Sequence, residues 1–244
     1  MAELAEYRQA HPIPFVITHW VNLCCIFSLI FTGFCIHYPF FPGFMGIAKG
    51  FHIGAGFVLA INCLARIIMA FIFTSAPTKG TRVLVKDFKT WLPQIDSRHQ
   101  MIQWVKYYLF LRKTKPLSGK LNNLQKLAYL CIPILIFFQF YTGLCMWEYT
   151  MFLPPFMGFT RLVGGIMNMH IIHYFVMFLF ILFIMLHVYL ALIEGLGDAG
   201  VMLFRNERGG LLYNTKRHII QGSDDHHYMH GEYEPEREGP ETTV

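Results

Sequence analysis

Residues 167–193 read MNMHIIHYFVMFLFILFIMLHVYLALI, an almost unbroken apolar run. A run this long crosses a bilayer as one tilted helix, because lipid offers its backbone no other hydrogen-bond partner. His173 and His187 lie inside it, fourteen residues apart. Fourteen residues are close to four helical turns, so the two imidazoles share nearly one face, separated by about 21 Å of rise. An imidazole in hydrocarbon is costly unless it is paired, solvated or bound. Two on one face, near opposite ends of the hydrocarbon layer, point to two buried ligand sites stacked across the membrane.

Three more apolar runs complete the expected architecture, at about residues 17–37, 51–73 and 124–147. Hydrophobic residues make up 55% of the 244 and charged residues only 14%, a membrane rather than a globular balance. No other run is long enough, so four spans are expected and six are excluded. Pro133 sits inside the third span, where it can kink the helix. The lead-in, residues 1–14, is polar and carries Pro12 and Pro14; no cleavable signal is expected there.

Charge orients the bundle. Residues 77–123 hold ten Lys and Arg, whereas the loops at 38–50 and 148–165 hold one each, Lys49 and Arg161. The positive-inside rule places the basic loop, and with it both termini, in the cytoplasm. The net charge of +5 therefore reads as topology, not as nucleic-acid binding. Trp91, Trp104, Tyr107 and Tyr108 are interleaved with the bases, which suggests an amphipathic helix on the membrane surface, with a plain basic loop as the alternative. The six cysteines all lie in apolar runs without CxxC spacing, as small packing residues do, so no iron–sulfur cluster is expected on this chain. The fold class expected is an all-α membrane protein, a four-helix bundle over residues 1–209, followed by a polar cytoplasmic tail over 210–244.

Topology sorts the histidines. His19 opens span one from inside and His187 closes span four at the same depth; His52 opens span two from outside and matches His173. Four histidines thus form two pairs, each from two helices. A lone intramembrane histidine can be explained by a hydrogen bond within a bundle; four at matched depths are hard to explain that way. Haem suits them, because neutral imidazole is a good axial ligand for its iron. Gly33, fourteen residues after His19, and Gly56, one turn after His52, let a flat macrocycle approach the backbone. Arg66, fourteen residues after His52, is placed to meet a propionate at the inner depth. His170, one turn before His173, is the alternative outer ligand. His37 and His99 have no matched partner, and a metal site among His218, His226, His227 and His230 in the tail is not expected.

These residues resemble the b-type cytochrome subunit of membrane-bound nickel–iron hydrogenases, which is related to the gamma subunit of respiratory formate dehydrogenases. The shared pieces are THW and TGFCI in span one, FHIGAGFV with AR in span two, YYLFL in the basic loop, YTGL in span three, and MHIIH with HVYLAL in span four. They cover most of residues 15–205. The resemblance implies two haem b, held by His19, His52, His173 and His187, in the cytoplasmic membrane of a bacterium or archaeon. It implies a subunit that does not itself oxidise hydrogen. Electrons would reach it from a nickel–iron large subunit through an iron–sulfur small subunit and pass to a quinone. In the formate dehydrogenase branch an asparagine just before span three lies by menaquinone, and Asn122 matches it. Met169 departs from the hydrogenase pattern, which has an acid there.

Three functions follow as alternatives. The first is the electron-transfer, quinone-reducing subunit of a hydrogenase. The second is the same cytochrome serving a formate dehydrogenase or thiosulfate reductase. The third is a haem-free transporter or anchor using the histidines as a proton relay. By depth alone, quinone is expected near His187, Asn122 and Arg66, with His11 or Arg8 as further contacts.

Overall fold

The computed structural model describes residues 4–5, 12–75, 85–92, 101–113, 121–194, 202, 212–214 and 219–221. Its elements, in chain order, are β1 (Leu4–Ala5), α1 (Ile13–His37), α2 (Met45–Ile72), β2 (Thr74–Ser75), β3 (Val85–Lys86), α3 (Asp87–Trp91), α4 (Met101–Tyr108), α5 (Asn123–Leu144), α6 (Pro154–Leu162), α7 (Ile166–Glu194), β4 (Leu212–Asn214) and β5 (Ile219–Gln221). Four helices, α1, α2, α5 and α7, are long and apolar enough to cross a membrane. The chain forms two compact units, Ile13–Met69 with Ala128–Ala199, and Met1–Pro12 with Ala70–Leu127 and Gly200–Val244.

The first of these is the bundle. Its core is Cys25, Leu59, Cys63, Ile136, Val176 and Phe180, drawn from all four long helices. Outside that core the helices remain apolar: Phe27, Phe31, Ile61, Ile134, Phe175 and Met185 are exposed. In water so much apolar surface would drive association; against acyl chains it is the matching solvent. Polar bonds join helices inside the bundle, with Asn62 Nδ2 donating to the Thr18 carbonyl at 2.8 Å and to Asn22 Oδ1 at 2.7 Å. Four cysteines are buried, Cys24 and Cys131 are exposed, and all six are free thiols. Met169 is fully buried, so the thioether stands where an acid would need an internal partner.

The boundary differences have local causes. The loop before α7 contains a helix, α6, which sequence reading leaves as coil. Pro154 and Pro155 begin it rather than break it, because the first helical positions need no N–H donor. Gly164 (φ 92°) and Gly165 (φ 107°) end it. Gly165 N–H donates to the Thr160 carbonyl at 2.8 Å and Gly164 N–H to the Arg161 carbonyl at 3.1 Å. This Schellman turn delivers the chain directly into α7.

In the second unit, the described residues of the basic connection include two short helices, α3 and α4. Leu92 is extended (φ −73°, ψ 145°), the conformation favoured before a proline, and α3 ends at Trp91. Asp87 is fully buried; its carboxylate accepts from Ser75 Oγ at 2.8 Å and Trp91 Nε1 at 3.2 Å. On α4 the buried side chains are Trp104 and Tyr108, one turn apart. The helix closes with Phe110 at φ 58°, leaving Leu109, Phe110 and Leu111 exposed. Asn122 caps α5: its Oδ1 accepts from Gln125 N–H at 2.8 Å while Gln125 Oε1 accepts from Asn122 N–H at 2.9 Å, a reciprocal capping box. Two of the tail's strands join β1, in the order β1-β4-β5, with Leu4 opposite Asn214 and Tyr213 opposite Ile220.

Candidate haem sites

Each pair of matched histidines meets. The His19 ring on α1 and the His187 ring on α7 have centroids 6.1 Å apart, at 51°. The His52 ring on α2 and the His173 ring on α7 are also 6.1 Å apart, at 61°. Two imidazole nitrogens sharing one metal at about 2 Å each, with each ring centre about 1.1 Å behind its nitrogen, put ring centres about 6 Å apart. Both pairs stand at that separation.

A bare ion would want more donors than two. Among the described residues, no three His, Cys, Asp or Glu side chains gather into a metal cage. A porphyrin supplies four equatorial nitrogens and asks the protein only for axial donors, so the residues present fit a haem at each pair. At Gly56 an added Cβ would meet nothing within 4 Å, which leaves open volume one turn from His52. Gly33 differs: its Cβ position lies 3.5 Å from His52 Cε1 and 3.6 Å from Met177 Sδ, so the imidazole ring of His52, not empty space, fills the approach.

The surroundings separate the candidates. His173 is the histidine facing His52; His170 is exposed, and its Nδ1 pairs with the Ile166 carbonyl at 2.8 Å. His37 stacks on Tyr174 at 4.2 Å. At the other pair, His187 stacks on Phe183 at 5.7 Å and His19 meets Trp20 edge-on at 6.1 Å. The Arg66 guanidinium lies over the Phe15 ring, 3.9 Å from its centroid, and 5.8 Å from that of Tyr129. Cation–π contacts hold the head group among aromatics. In the other unit, Asn122 is buried and donates to Tyr108 Oη at 2.6 Å, in addition to its capping bonds. Arg8, His11, His99, His218, His226, His227 and His230 lie outside the described residues.

Three further polar side chains serve the His52–His173 pair and escape a reading that starts from histidines. Thr32 Oγ1 is 2.9 Å from His52 Nδ1, and Thr142 Oγ1 is 2.8 Å from His173 Nδ1. Gln139 Nε2 donates to the His173 carbonyl at 3.0 Å. The available signal for the threonines is the repeated Thr-Gly dipeptide, once in span one and once in span three.

Comparison with known proteins identifies the family. The family described as prokaryotic cytochrome b561 matches residues 10–204. A protein of Azotobacter vinelandii named Probable Ni/Fe-hydrogenase B-type cytochrome subunit is 30% identical over 195 residues, covering 74% of this chain and 78% of its own. One of Escherichia coli, named Probable Ni/Fe-hydrogenase 1 B-type cytochrome subunit, is 25% identical over 235 residues, covering 84% and 93%. One of Rhizobium leguminosarum bv. viciae, named as the first is, is 25% identical over 218 residues, covering 79% and 84%. The chain belongs to the prokaryotic cytochrome b561 family: it is an integral membrane cytochrome of the b type, a haem b protein of electron transfer.

Proposed function

We propose that this cytochrome holds two haem b and carries electrons across the membrane from a periplasmic nickel–iron hydrogenase to a quinone. The observation that carries the reading is the pair of histidine pairs, each with ring centroids 6.1 Å apart. His52 and His173 form the outer site, and His19 and His187 the inner one. Haem bound at each site supplies a one-electron iron couple. The chain's own work is to hold each ring pair at ligation distance, shield the sites with apolar helices, and fix their spacing along α7, about 21 Å between His173 and His187.

The hydrogenase assignment rests on the names of the relatives, and the partner is taken to be an iron–sulfur small subunit with its nickel–iron large subunit. The basic connection supports a cytoplasmic placement for the inner pair and for both termini. The cytochrome is assigned to residues 1–209 in the cytoplasmic membrane, with residues 210–244 as a cytoplasmic tail. Quinone, taken as menaquinone, is assigned to the inner side, with His187 and Arg66 as contacts. Asn122 is added on the resemblance alone, since its side chain already caps α5.

His187→Ala tests the reading. It should remove about half of the haem measured as pyridine haemochrome and stop quinone reduction. Hydrogen oxidation with an artificial dye at the partner should survive, because that route leaves before the membrane. Quinone reduction that survives in His187→Ala would overturn the assignment of His187 to the inner site.

A further inference from the structure

We propose that Thr32 and Thr142 are positioning residues that fix the tautomer of the outer histidines and lower the potential of the haem they hold. The inference rests on His52 and His173 being axial ligands. Thr32 Oγ1 lies 2.6 Å from the Ser28 carbonyl, and Thr142 Oγ1 lies 2.8 Å from the Gln139 carbonyl. A carbonyl only accepts, so the single hydroxyl hydrogen of each threonine goes to the backbone. Each Oγ1 is then an acceptor for the histidine beside it. His52 Nδ1–H donates to Thr32 Oγ1 at 2.9 Å and His173 Nδ1–H donates to Thr142 Oγ1 at 2.8 Å. With the proton on Nδ1, the lone pair of Nε2 is left for iron.

The arrangement occurs twice. Thr32 and Gly33 on α1 serve His52 on α2; Thr142 and Gly143 on α5 serve His173 on α7. In both cases the following glycine stands against the same edge of the ring, with its Cβ position 3.5 Å from Cε1. An alanine methyl would make ordinary contact there, whereas a longer side chain would push the imidazole off its threonine. Two helix pairs arriving independently at one dipeptide and one geometry argue for a shared task.

That task is electronic as well as geometric. A hydrogen bond accepted from Nδ1–H raises the basicity of Nε2, and a more basic axial donor favours ferric over ferrous iron. Thr32→Val and Thr142→Val keep the side-chain shape and delete the hydroxyl acceptor, leaving the backbone carbonyls of Leu29 and Gln139 beside the rings. In the purified full-length cytochrome, each should raise the midpoint of one haem. The expected shift is about tenfold in the ferrous-to-ferric ratio at fixed solution potential, about 59 mV for a one-electron couple. The second haem, identified as the one kept by His173→Ala, should not move. The low-spin ferric EPR signal of the outer haem, which reports the angle between imidazole planes, should change with it. Thr→Ser at either position should restore both readings.

Valine variants that keep two haems with native midpoints and EPR would overturn the proposal. Loss of the outer haem in Val but not in Ser would support it by showing that the hydroxyl is required. Loss in both Val and Ser would reduce the threonines to packing and overturn it. Failure of the ligand reading itself is separate: it would appear as a His173→Ala protein that still carries two haems.

Discussion

For the proposed haem at His52, the second ligand is a choice between two histidines one turn apart on α7. His173 turns its ring toward His52 and gives its Nδ1 to Thr142, whereas His170 is exposed and turns Nδ1 back to its own helix. His173→Ala should therefore lose about half of the haem, and His170→Ala should keep both, each measured as haemochrome per chain. A reversed result would move the ligand one turn toward the start of α7. Depth and face are legible in the fourteen-residue spacing, because both follow from helical geometry alone. The choice between His170 and His173 is not, because residues three apart share a face. Only the neighbouring helix distinguishes them. Thr32 and Thr142 are marked in the sequence only by the repeated Thr-Gly dipeptide, and their role is not legible there: a threonine in a span bonds its own backbone by default, and its second partner arrives from another helix.

At the scale of elements, the long helices are legible in the sequence and their ends are not. Apolar length marks a span, but α2 begins at Met45, well before the expected start near residue 51, and takes in Gly46, Lys49 and Gly50 ahead of the apolar run. The prolines of α6 hide it, and its end controls the entry into α7. Gly164 is at φ 92°, and a Cβ there would lie 2.6 Å from Asn168 Nδ2, which itself donates to the Val163 carbonyl at 2.8 Å. Gly164→Ala should cost about 1–2 kcal/mol for the left-handed backbone alone, before Asn168 is displaced. Thermal unfolding followed at the Soret band should show a lower Tm. Gly46→Ala is the control: Gly46 is exposed within α2, with nothing within 4 Å of its Cβ position. A helical alanine there should stabilise by up to about 1 kcal/mol. Equal melting of the two variants would mean that the α6–α7 turn does not anchor the bundle.

For the whole molecule, the proposed function makes the asymmetry of charge the device that would turn two stacked sites into a directed path. On the proposed reading, the ten basic residues in the segment 77–123 mark the cytoplasmic side, and His19 and His187 form the inner site. If hydrogen is oxidised outside and quinone takes its protons inside, each electron crosses the low-dielectric layer without a compensating ion. Turnover is then electrogenic, leaving the cytoplasmic side negative. Opposing this transfer with 100 mV costs about 2.3 kcal/mol per charge moved across the full membrane. A membrane potential should therefore slow the coupled reaction and an uncoupler should speed it. In proteoliposomes holding the cytochrome, its hydrogenase and a quinone, hydrogen should generate a potential that a voltage-sensitive dye reports. His187→Ala should abolish that signal while dye-linked hydrogen oxidation continues. A silent dye during demonstrated quinone reduction would place the quinone on the outer side. The bundle would then anchor the hydrogenase, and the inner pair would lie off the electron path.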